Sequence, residues 1–401
     1  MTCRICNNPT SIILDLGSTP PANSLLLKPE SDQSSFPLIL EYCESCYNIQ
    51  LKDCLSEIDL YKNYLYVTPE SSMLTSHYGY LTDYLINKKY ISDTSFVVEV
   101  GSNIGYYLEF IKPKVGKILG IDPASNICQM ANSNGIDTIC DFFNEKSALI
   151  IKEQHGDPDI IIARHCFAHN DNPHELMKGV KELLPLNGRV VIENAYALNT
   201  IENNEFDQIY HEHMFYYSIR SMSEILKIHN MILVDVLISL VHGGSIIFVA
   251  EHNTGKNVIS PSVKQYLINE QLKLNKDTLT TFATKAFEIK RNLISLVSDL
   301  KNENKSIYSY GATAKGNTLL NFVGFTNNEI EFCIDSTEIK IGKYLPKSNI
   351  QIISEEQGLS KQPDYFLLTA WNYKDEIINK VRASGNYHSK FIVPFPVVHI
   401  V

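Results

Sequence analysis

The sequence predicts an α/β protein in which a small cysteine-rich unit precedes two Rossmann-like domains. Three observations predict this class. Two Cys-x2-Cys pairs lie within residues 1–75, and strand-like and helix-like segments alternate through residues 76–255. A second alternation of the same kind runs through residues 256–401. A chain of 401 residues is also too long for one ordinary hydrophobic core, which favours two or three domains.

Composition and charge limit the class of protein. Hydrophobic residues make up 44% of the chain and charged residues 20%, as in globular proteins. A net charge of −10 and a pI near 5.7 argue against a nucleic-acid partner bound through its phosphates. The start MTCRICNN is no signal peptide, and no apolar run is long enough for a membrane span. We therefore expect a cytoplasmic protein without a membrane partner, in which cysteines are thiols or metal ligands.

The four cysteines of the first unit predict a structural zinc site. Cys3, Cys6, Cys43 and Cys46 form two knuckles that can place four thiolates at the corners of a tetrahedron. Four such ligands complete the coordination sphere and leave no position for a substrate. Two alternatives stay open: four buried free thiols, or competition from the additional Cys54.

The middle unit begins with a helical segment and then predicts a cofactor site. SFVVEVGSNIGYYLEFIKP has the pattern of a buried strand, a turn with Gly101 and Gly105, and a helix. The next strand, KILGID, ends in Asp122, 21 residues after Gly101. An acidic residue at that strand end can accept hydrogen bonds from ribose hydroxyls. The pattern favours a nucleoside-type cofactor, with an ordinary tight turn as the alternative, because it lacks the G-x-G-x-x-G spacing.

The third unit repeats this organisation. Residues 260–304 are polar with helical periodicity and predict one or two long helices. KSIYSYGATAKGNTLLNF then reads as strand, turn and helix, with Gly311 and Gly316 in the turn. The following strand, IEFCID, ends at Asp335. This is a second Rossmann-like pattern in the same chain.

The stretch IYHEHM predicts either an acid–base site, a metal site or a polar corner. It contains Tyr210, His211, Glu212 and His213. The spacing is not the H-E-x-x-H of zinc proteases, and a metal held by both histidines on one strand face lacks an obvious third ligand. The acid–base interpretation is therefore favoured, and His211 keeps the interpretation of a hydrogen-bonded core residue.

Several motifs occur together in the order of a known family. They are the Cys-x2-Cys pairs, LGSTPPAN, EVGSNIG, GIDPASNI, FAHN, YHEHMFYYS, HGGS, YGATAKGNTLLNF, DSTEIKIGKYLP and AWNYKDEI. The chain resembles the S-adenosylmethionine-dependent C-methyltransferases of nucleotide-linked deoxysugars, typified by the 3-C-methyltransferases of TDP-4-keto sugars. The resemblance runs nearly end to end. It implies a zinc-binding domain (1–75), a methyltransferase domain (76–255) and a Rossmann-like domain that helps to hold the nucleotide sugar (256–401).

The resemblance also implies an activity and its residues. The expected reaction moves a methyl group to a ring carbon, most simply C3, of a TDP- or GDP-linked 4-keto sugar through an enolate. His213 would be the base, Tyr210 and Glu212 would line the sugar site, and His169 is a second candidate for handling the proton or enolate. The residues expected at the cofactor are Gly101, Ser102, Asn103, Gly105, Asp122 and either Phe142 or Phe143. Ile104 stands where the family usually has Asp, and Asn23 is expected to be a turn residue.

The remaining expected residues concern the substrate. Gly311, Lys315 and Asn317, near a helix N-terminus, suit a pyrophosphate. The other substrate candidates are Tyr64, Tyr66, Ser72, Lys343 and Tyr344. The alternatives are methylation at another position, a nicotinamide-dependent sugar reductase suggested by the two Rossmann-like patterns, and a zinc-ribbon adaptor for nucleic acid, which the acidic charge opposes. The sequence leaves the oligomeric state open.

Overall fold

The computed structural model describes residues 2–56, 60, 67–68, 71–239 and 244–401, and these residues form three sheets in the predicted order. The first sheet is antiparallel and contains β1 (Ser11–Thr19), β2 (Phe36–Tyr42) and β3 (Ile49–Leu51). Its fourth strand comes from the middle unit, because β9 (Phe215–Tyr216) pairs antiparallel with β3. The strand immediately after IYHEHM therefore belongs to the sheet of the first unit.

The second sheet has seven strands in the order β10-β11-β8-β7-β4-β5-β6. The strands are β4 (Phe96–Val100), β5 (Lys117–Asp122), β6 (Thr138–Cys140), β7 (Ile160–Arg164), β8 (Arg189–Ala195), β10 (Met231–Ser239) and β11 (Ser245–His252). Strands β4 to β8 are parallel, whereas β11 pairs antiparallel with both β8 and β10. All five residues of β4 are buried, as expected for a parallel strand covered on both faces.

Helices pack around this sheet. In chain order they are α1 (Ser72–Asn87), α2 (Tyr106–Ile111), α3 (Ser125–Ser133), α4 (Glu145–His155), α5 (Pro173–Leu183), α6 (Ala197–Glu202) and α7 (Ile219–Ile228). Short 3₁₀ turns follow three of the elements, at Lys112–Lys114 after α2, at Phe167–His169 after β7 and at Phe206–Gln208 after α6. The last of these turns leads directly into IYHEHM.

Two long helices, as the sequence predicts, lead into the third unit: α8 (Pro261–Lys273) and α9 (Lys276–Asn302). α9 buries an apolar stripe at helical spacing, formed by Leu279, Phe282, Ala286, Ile289, Leu293, Val297 and Leu300. The third sheet has the order β14-β13-β12-β15-β16-β17 and is parallel except for its last strand. None of the helices in the described parts of the chain has both the length and the apolar character that crossing a bilayer requires.

The elements of the third unit complete the fold. The strands are β12 (Ile307–Tyr310), β13 (Phe332–Asp335), β14 (Gln351–Ser354), β15 (Tyr365–Leu368), β16 (Lys390–Val393) and β17 (His399–Ile400). The helices are α10 (Ala314–Val323), α11 (Glu355–Ser360) and α12 (Lys374–Ala383). In the second sheet the strands after β4 are added first on one side of it, as β5 and β6, and then on the other side, as β7 and β8. In the third sheet β13 and β14 lie on one side of β12, and β15 and β16 lie on the other. Ligands of open α/β sheets bind outside the carboxyl ends of the strands where the side changes in this way.

Candidate active site

A cleft of about 580 Å³ lies where all three units meet. The carboxyl ends of β4, β5 and β7 form one wall, and the carboxyl ends of β12, β13 and β15 form another. The first unit adds Asn23 and Leu25. The cleft therefore joins the two edges at which the sequence predicts a cofactor and a nucleotide.

The turn at Gly101 is shaped for close approach of a ligand to the backbone. Gly101 has a φ of +65°, and a Cβ atom there would lie 2.5 Å from the Cβ atom of Cys166. Its amide donates to the carbonyl of Ile121 at 2.8 Å, which joins the turn to β5. A side chain at this position would therefore distort the wall of the cleft.

Asp122 is the last residue of β5 and lines the cleft. Its two carboxylate oxygens accept hydrogen bonds from the amides of Asn103 and Ala124, both at 3.0 Å. Burial raises the pKa of Asp122, although these two amides oppose that effect. Each oxygen keeps a further lone pair, which is available for another hydrogen bond.

The remaining cofactor candidates divide into two groups. Ser102, Asn103, Phe142 and Phe143 line the cleft. Phe142 is half-buried, whereas Phe143 belongs to the core, so Phe142 is the better placed of the two for stacking on a base. Gly105, by contrast, immediately precedes α2 and lies outside the described lining of the cleft, and a Cβ atom there would lie 2.7 Å from the Cγ2 atom of Ile136.

His213 has a defined tautomer because of its two hydrogen bonds. Its Nδ1 lies 3.0 Å from the carbonyl oxygen of Gln208, which can only accept, so Nδ1 carries the proton. Nε2 is then the acceptor for the hydroxyl of Tyr210, which lies 2.6 Å away. Burial, together with the charge of Lys315, holds the pKa of His213 well below that of free histidine. The imidazole is neutral and able to accept a proton.

His169 stacks on His213, with ring centroids 5.1 Å apart. It is the last residue of the 3₁₀ turn that follows β7, which carries it to the edge of the cleft. Burial and the charge of His165 lower the pKa of His169 to about 4. Both histidines are therefore neutral near pH 7, and the paired rings do not repel each other.

The first unit holds the other side of the IYHEHM segment, which is a turn and not the strand considered from the sequence. Glu212 accepts a hydrogen bond from the side-chain amide of Asn23 at 2.6 Å. Asn23 lies in a turn, as the sequence predicts, and it also lines the cleft and orients a carboxylate. His211 is buried against Phe36, as expected of a core residue, but its predicted hydrogen bonding is not confirmed, because neither ring nitrogen has a hydrogen bond of normal geometry to the described residues.

The third unit anchors the residues just before this turn. The indole N–H of Trp371 donates to Asp207 at 2.6 Å, and the hydroxyl of Thr318 donates to the carbonyl of Ile209 at 3.1 Å. The ammonium nitrogen of Lys315 lies 5.2 Å from the centroid of the Trp371 ring and is buried without a hydrogen-bond partner in the described part of the chain. A buried ammonium group without a partner suits an anionic oxygen of a ligand.

The third sheet repeats the hydrogen bonding found at the carboxyl ends of β4 and β5. The amide of Gly311 donates to the carbonyl of Ile334 at 2.8 Å, as Gly101 does to Ile121. Asp335 accepts from the amides of Ala312 and Thr337, both at 2.8 Å. A Cβ atom on Gly311 would lie 2.5 Å from that of Ala370. Two similar edges thus face one cleft.

Other predicted substrate residues lie elsewhere. Of the described residues, Ser72, Asn317, Lys343 and Tyr344 do not contribute to the lining of the cleft. Ser72 is exposed at the start of α1, and the side chain of Asn317 donates to the carbonyl of Ala22 at 3.3 Å. The backbone of Tyr344 pairs with Leu26, and Lys343 is beside it in the chain. Tyr64 and Tyr66 lie outside the described residues.

The four cysteines form the predicted metal site. The sulfur atoms of Cys3, Cys6, Cys43 and Cys46 lie within 4.8 Å of one another. Cys3 and Cys46 are 3.6 Å apart, as are Cys6 and Cys43. Sulfur atoms at the corners of a zinc tetrahedron are separated by about 3.8 Å, so the donor set fits zinc. Cys54 is not part of the cluster.

The fold and the site together define a class: an S-adenosylmethionine-dependent methyltransferase with a structural zinc site. Three family models match the chain in order. They are a zinc binding domain (residues 3–61), a methyltransferase domain (81–235) and a C-methyltransferase C-terminal domain (240–396). These matches argue against the reductase and nucleic-acid alternatives.

A full-length relative gives the family. The chain is 34% identical to C-methyltransferase NovU from Streptomyces niveus over 405 residues, which cover 100% of this chain and 96% of NovU. The chain therefore belongs to this family of C-methyltransferases. An S-adenosylmethionine-dependent methyltransferase from Anabaena variabilis is similar to 46% of this chain and 88% of its own, with 14% identity and a TM-score of 0.38. One from Clostridium acetobutylicum covers 46% and 93%, with 12% identity and a TM-score of 0.36.

Proposed function

We propose that this C-methyltransferase acts on a nucleotide-linked 4-keto deoxysugar and methylates the carbon next to the carbonyl, C3. The nucleotide is TDP or GDP. The observation that carries the proposal is a neutral His213–Tyr210 pair in a cleft that also opens on a second nucleotide-type edge at Gly311 and Asp335. A reaction at carbon needs a base, and a nucleotide-linked substrate needs a second binding edge.

The two edges suit two ligands of related chemistry. Gly101 and Asp122 form the edge for S-adenosylmethionine, which supplies an electrophilic methyl group when bound. Gly311 and Asp335 have equivalent backbone hydrogen bonds and suit the nucleotide of the substrate. The buried ammonium group of Lys315 lines the same cleft, close enough to His213 to affect its pKa, and suits the pyrophosphate.

The proton has a defined route in this proposal. The carbonyl at C4 acidifies the C–H bond at C3, and the Tyr210 hydroxyl accepts this proton while its own proton moves to Nε2 of His213. The electron pair of the C–H bond forms an enolate, whose C3 atom then bonds to the methyl group. His213 is the final base, and its Nδ1–H remains held by the carbonyl of Gln208.

Glu212 and His169 have supporting roles. The amide of Asn23 fixes the carboxylate of Glu212 at the edge of the sugar site. His169 stacks on His213 and carries no charge near pH 7, so it can donate a hydrogen bond to the enolate oxygen. A charged His169 would instead disfavour proton transfer to His213.

The experiment is a methylation assay with labelled S-adenosylmethionine and a panel of TDP- and GDP-linked 4-keto-6-deoxy sugars. The expected product carries the label on C3, which carbon NMR identifies. The control is the same panel after reduction of the carbonyl to a hydroxyl, which removes the acidity of the C–H bond. Transfer of the label to an oxygen atom, or equal methylation of the reduced sugars, would contradict the proposal.

A further inference from the structure

Asn194 is a buried polar residue in the wall of the cleft that has no assigned role. It is the sixth residue of β8 and is 1% exposed. Neither its amide nitrogen nor its amide oxygen has a hydrogen-bond partner in the described part of the chain. Because both atoms lack a partner, this holds for either orientation of the amide.

A buried amide group without hydrogen bonds is unfavourable unless a bound ligand supplies the missing donor and acceptor. A buried polar group without a partner loses its hydrogen bonds to water and gains nothing in return. Ser102 and Lys315 combine the same two properties, a buried polar atom without a partner and a place in the lining of the cleft. The sequence predicts that Ser102 binds the cofactor and Lys315 the substrate, whereas Asn194 belongs to none of the motifs.

The order of the strands places Asn194 on the substrate side of the cleft. β7 lies between β8 and β4, and β5 lies beyond β4. With neighbouring strands about 4.8 Å apart, Asn194 is about 10 Å across the sheet from the Gly101 turn and farther from Asp122. Asn194 is therefore nearer to the carboxyl end of β7 than to the carboxyl ends of β4 and β5.

The catalytic residues, by contrast, approach the same part of the sheet. His165 follows the last residue of β7, Arg164, which pairs with Glu193 of β8, so Asn194 is next to the start of the segment that carries His169. The Asn194 side chain lines the same cleft as Ala168, His169 and His213. The carbonyl of Ala168 accepts a hydrogen bond from the amide of Met214 at 2.9 Å.

We propose that Asn194 is a specificity residue that hydrogen-bonds to a hydroxyl group of the sugar ring. A hydroxyl donates and accepts, and so can pair with both atoms of the amide, whereas a carbonyl oxygen would leave the amide oxygen without a partner. This inference rests on the proposed function, since it takes the ligand on this side of the cleft to be a sugar.

Calorimetry on the full chain saturated with S-adenosylhomocysteine tests the inference. The probes are TDP-glucose and GDP-glucose, each with its 2-, 3- and 6-deoxy derivatives. For the wild-type protein, loss of one of these hydroxyls should weaken binding about tenfold or more, because the amide is then left buried without a partner. The Asn194→Leu variant should bind the parent sugar more weakly and should no longer distinguish it from that deoxy derivative.

Two further variants keep the outcome interpretable. Asn194→Ala also removes both polar atoms of the amide, in a smaller side chain, so it should lose the discrimination even if Asn194→Leu does not fold. Thr200→Val is the matched control, because the Thr200 hydroxyl is buried without a partner but lies outside the described lining of the cleft. This control should keep both the affinity and the discrimination of the wild-type protein.

The possible results separate the inference from the proposed function. Unchanged discrimination in the Asn194 variants would overturn the inference alone. A loss of affinity for S-adenosylhomocysteine in these variants would also overturn it, because the ligand of Asn194 would then be the cofactor. If the wild-type protein binds none of the nucleotide sugars, the inference and the proposed function are both wrong.

Discussion

In the proposed proton route the hydroxyl of Tyr210 lies between the substrate and His213, to which it is hydrogen-bonded. We expect Tyr210→Phe to lower kcat by about 100-fold or more with little change in KM, since general acid–base groups contribute on this scale. Steady-state kinetics measures both constants. The matched control is Tyr308→Phe, which alters a tyrosine outside the described lining of the cleft. A higher KM with an unchanged kcat would mean that Tyr210 only binds substrate.

The low pKa of His213 predicts the pH dependence of the reaction. Because the base is neutral above its pKa, kcat/KM should stay constant as the pH falls through about 6.5, the value of free histidine, and should decrease only at lower pH. The charge of Lys315 contributes to this lowering, so Lys315→Met should move the decrease to a higher pH. A decrease centred near pH 7 in the wild-type protein would contradict a buried, neutral His213.

Single residues of the site were only partly predictable. The motifs of the sequence identify Tyr210, Glu212, His213 and Asp122, which all line the cleft. They miss the contact between Asn23 and Glu212, because it joins residues 189 positions apart and depends on how the first unit packs. Asp335 could have been recognised as a site residue, since it ends the strand after a glycine turn as Asp122 does.

At the level of elements, α10 packs between the units, and several of its polar side chains form hydrogen bonds to the other units and not to the cleft. Asn317 and Asn321 donate to Ala22 and Thr19 of the first unit, while Thr318 donates to Ile209. The hydrogen bond from the Asn317 side chain to Ala22 argues against its assignment to the pyrophosphate. Periodicity predicts the helix, but the partner of each face depends on the tertiary fold.

Asn317→Ala should therefore affect stability and not ligand binding. The variant leaves the carbonyl of Ala22 buried without a partner, which should lower the free energy of unfolding by about 1–3 kcal/mol. Chemical denaturation measures this change, and calorimetry with S-adenosylhomocysteine and nucleotide sugar should give unchanged affinities. Lys315→Met is the contrasting variant, with weaker nucleotide binding. A large loss of nucleotide affinity in Asn317→Ala would restore its role as a ligand.

The pairing of β9 with β3 links the zinc site to the catalytic turn. The two residues of β9 are too few to give a periodic signal, so the sequence could not predict that the middle unit completes the first sheet. β3 lies close after Cys43 and Cys46 in the chain. The metal is therefore expected to stabilise both the first unit and the segment that carries His213.

Removing zinc with a chelator should increase backbone amide hydrogen exchange in residues 36–51 and also in residues 208–216. Mass spectrometry of the exchanged peptides measures both regions. The strands of the third sheet, 307–310 and 365–368, serve as the internal control and should keep their protection. Faster exchange confined to the first unit would show that the zinc site does not support the catalytic turn.

For the whole molecule, the site exists only where three units meet. The first unit orients Glu212 through Asn23, the middle unit carries the catalytic turn, and the third unit holds Asp207 through Trp371. The order of the units and the two α/β sheets followed from the alternation of strands and helices in the sequence. Their arrangement around one cleft did not, because it depends on contacts between units that carry no local pattern.

The most direct test of the account is hydrogen exchange at the carbon next to the carbonyl. The protein is incubated in deuterated water with a 4-keto sugar nucleotide and S-adenosylhomocysteine, so that no methyl group is available, and NMR follows deuterium at C3. The account predicts rapid exchange with the wild-type protein and little exchange with His213→Asn or Tyr210→Phe. Wild-type exchange rates in the His213→Asn variant would contradict the proposed proton route.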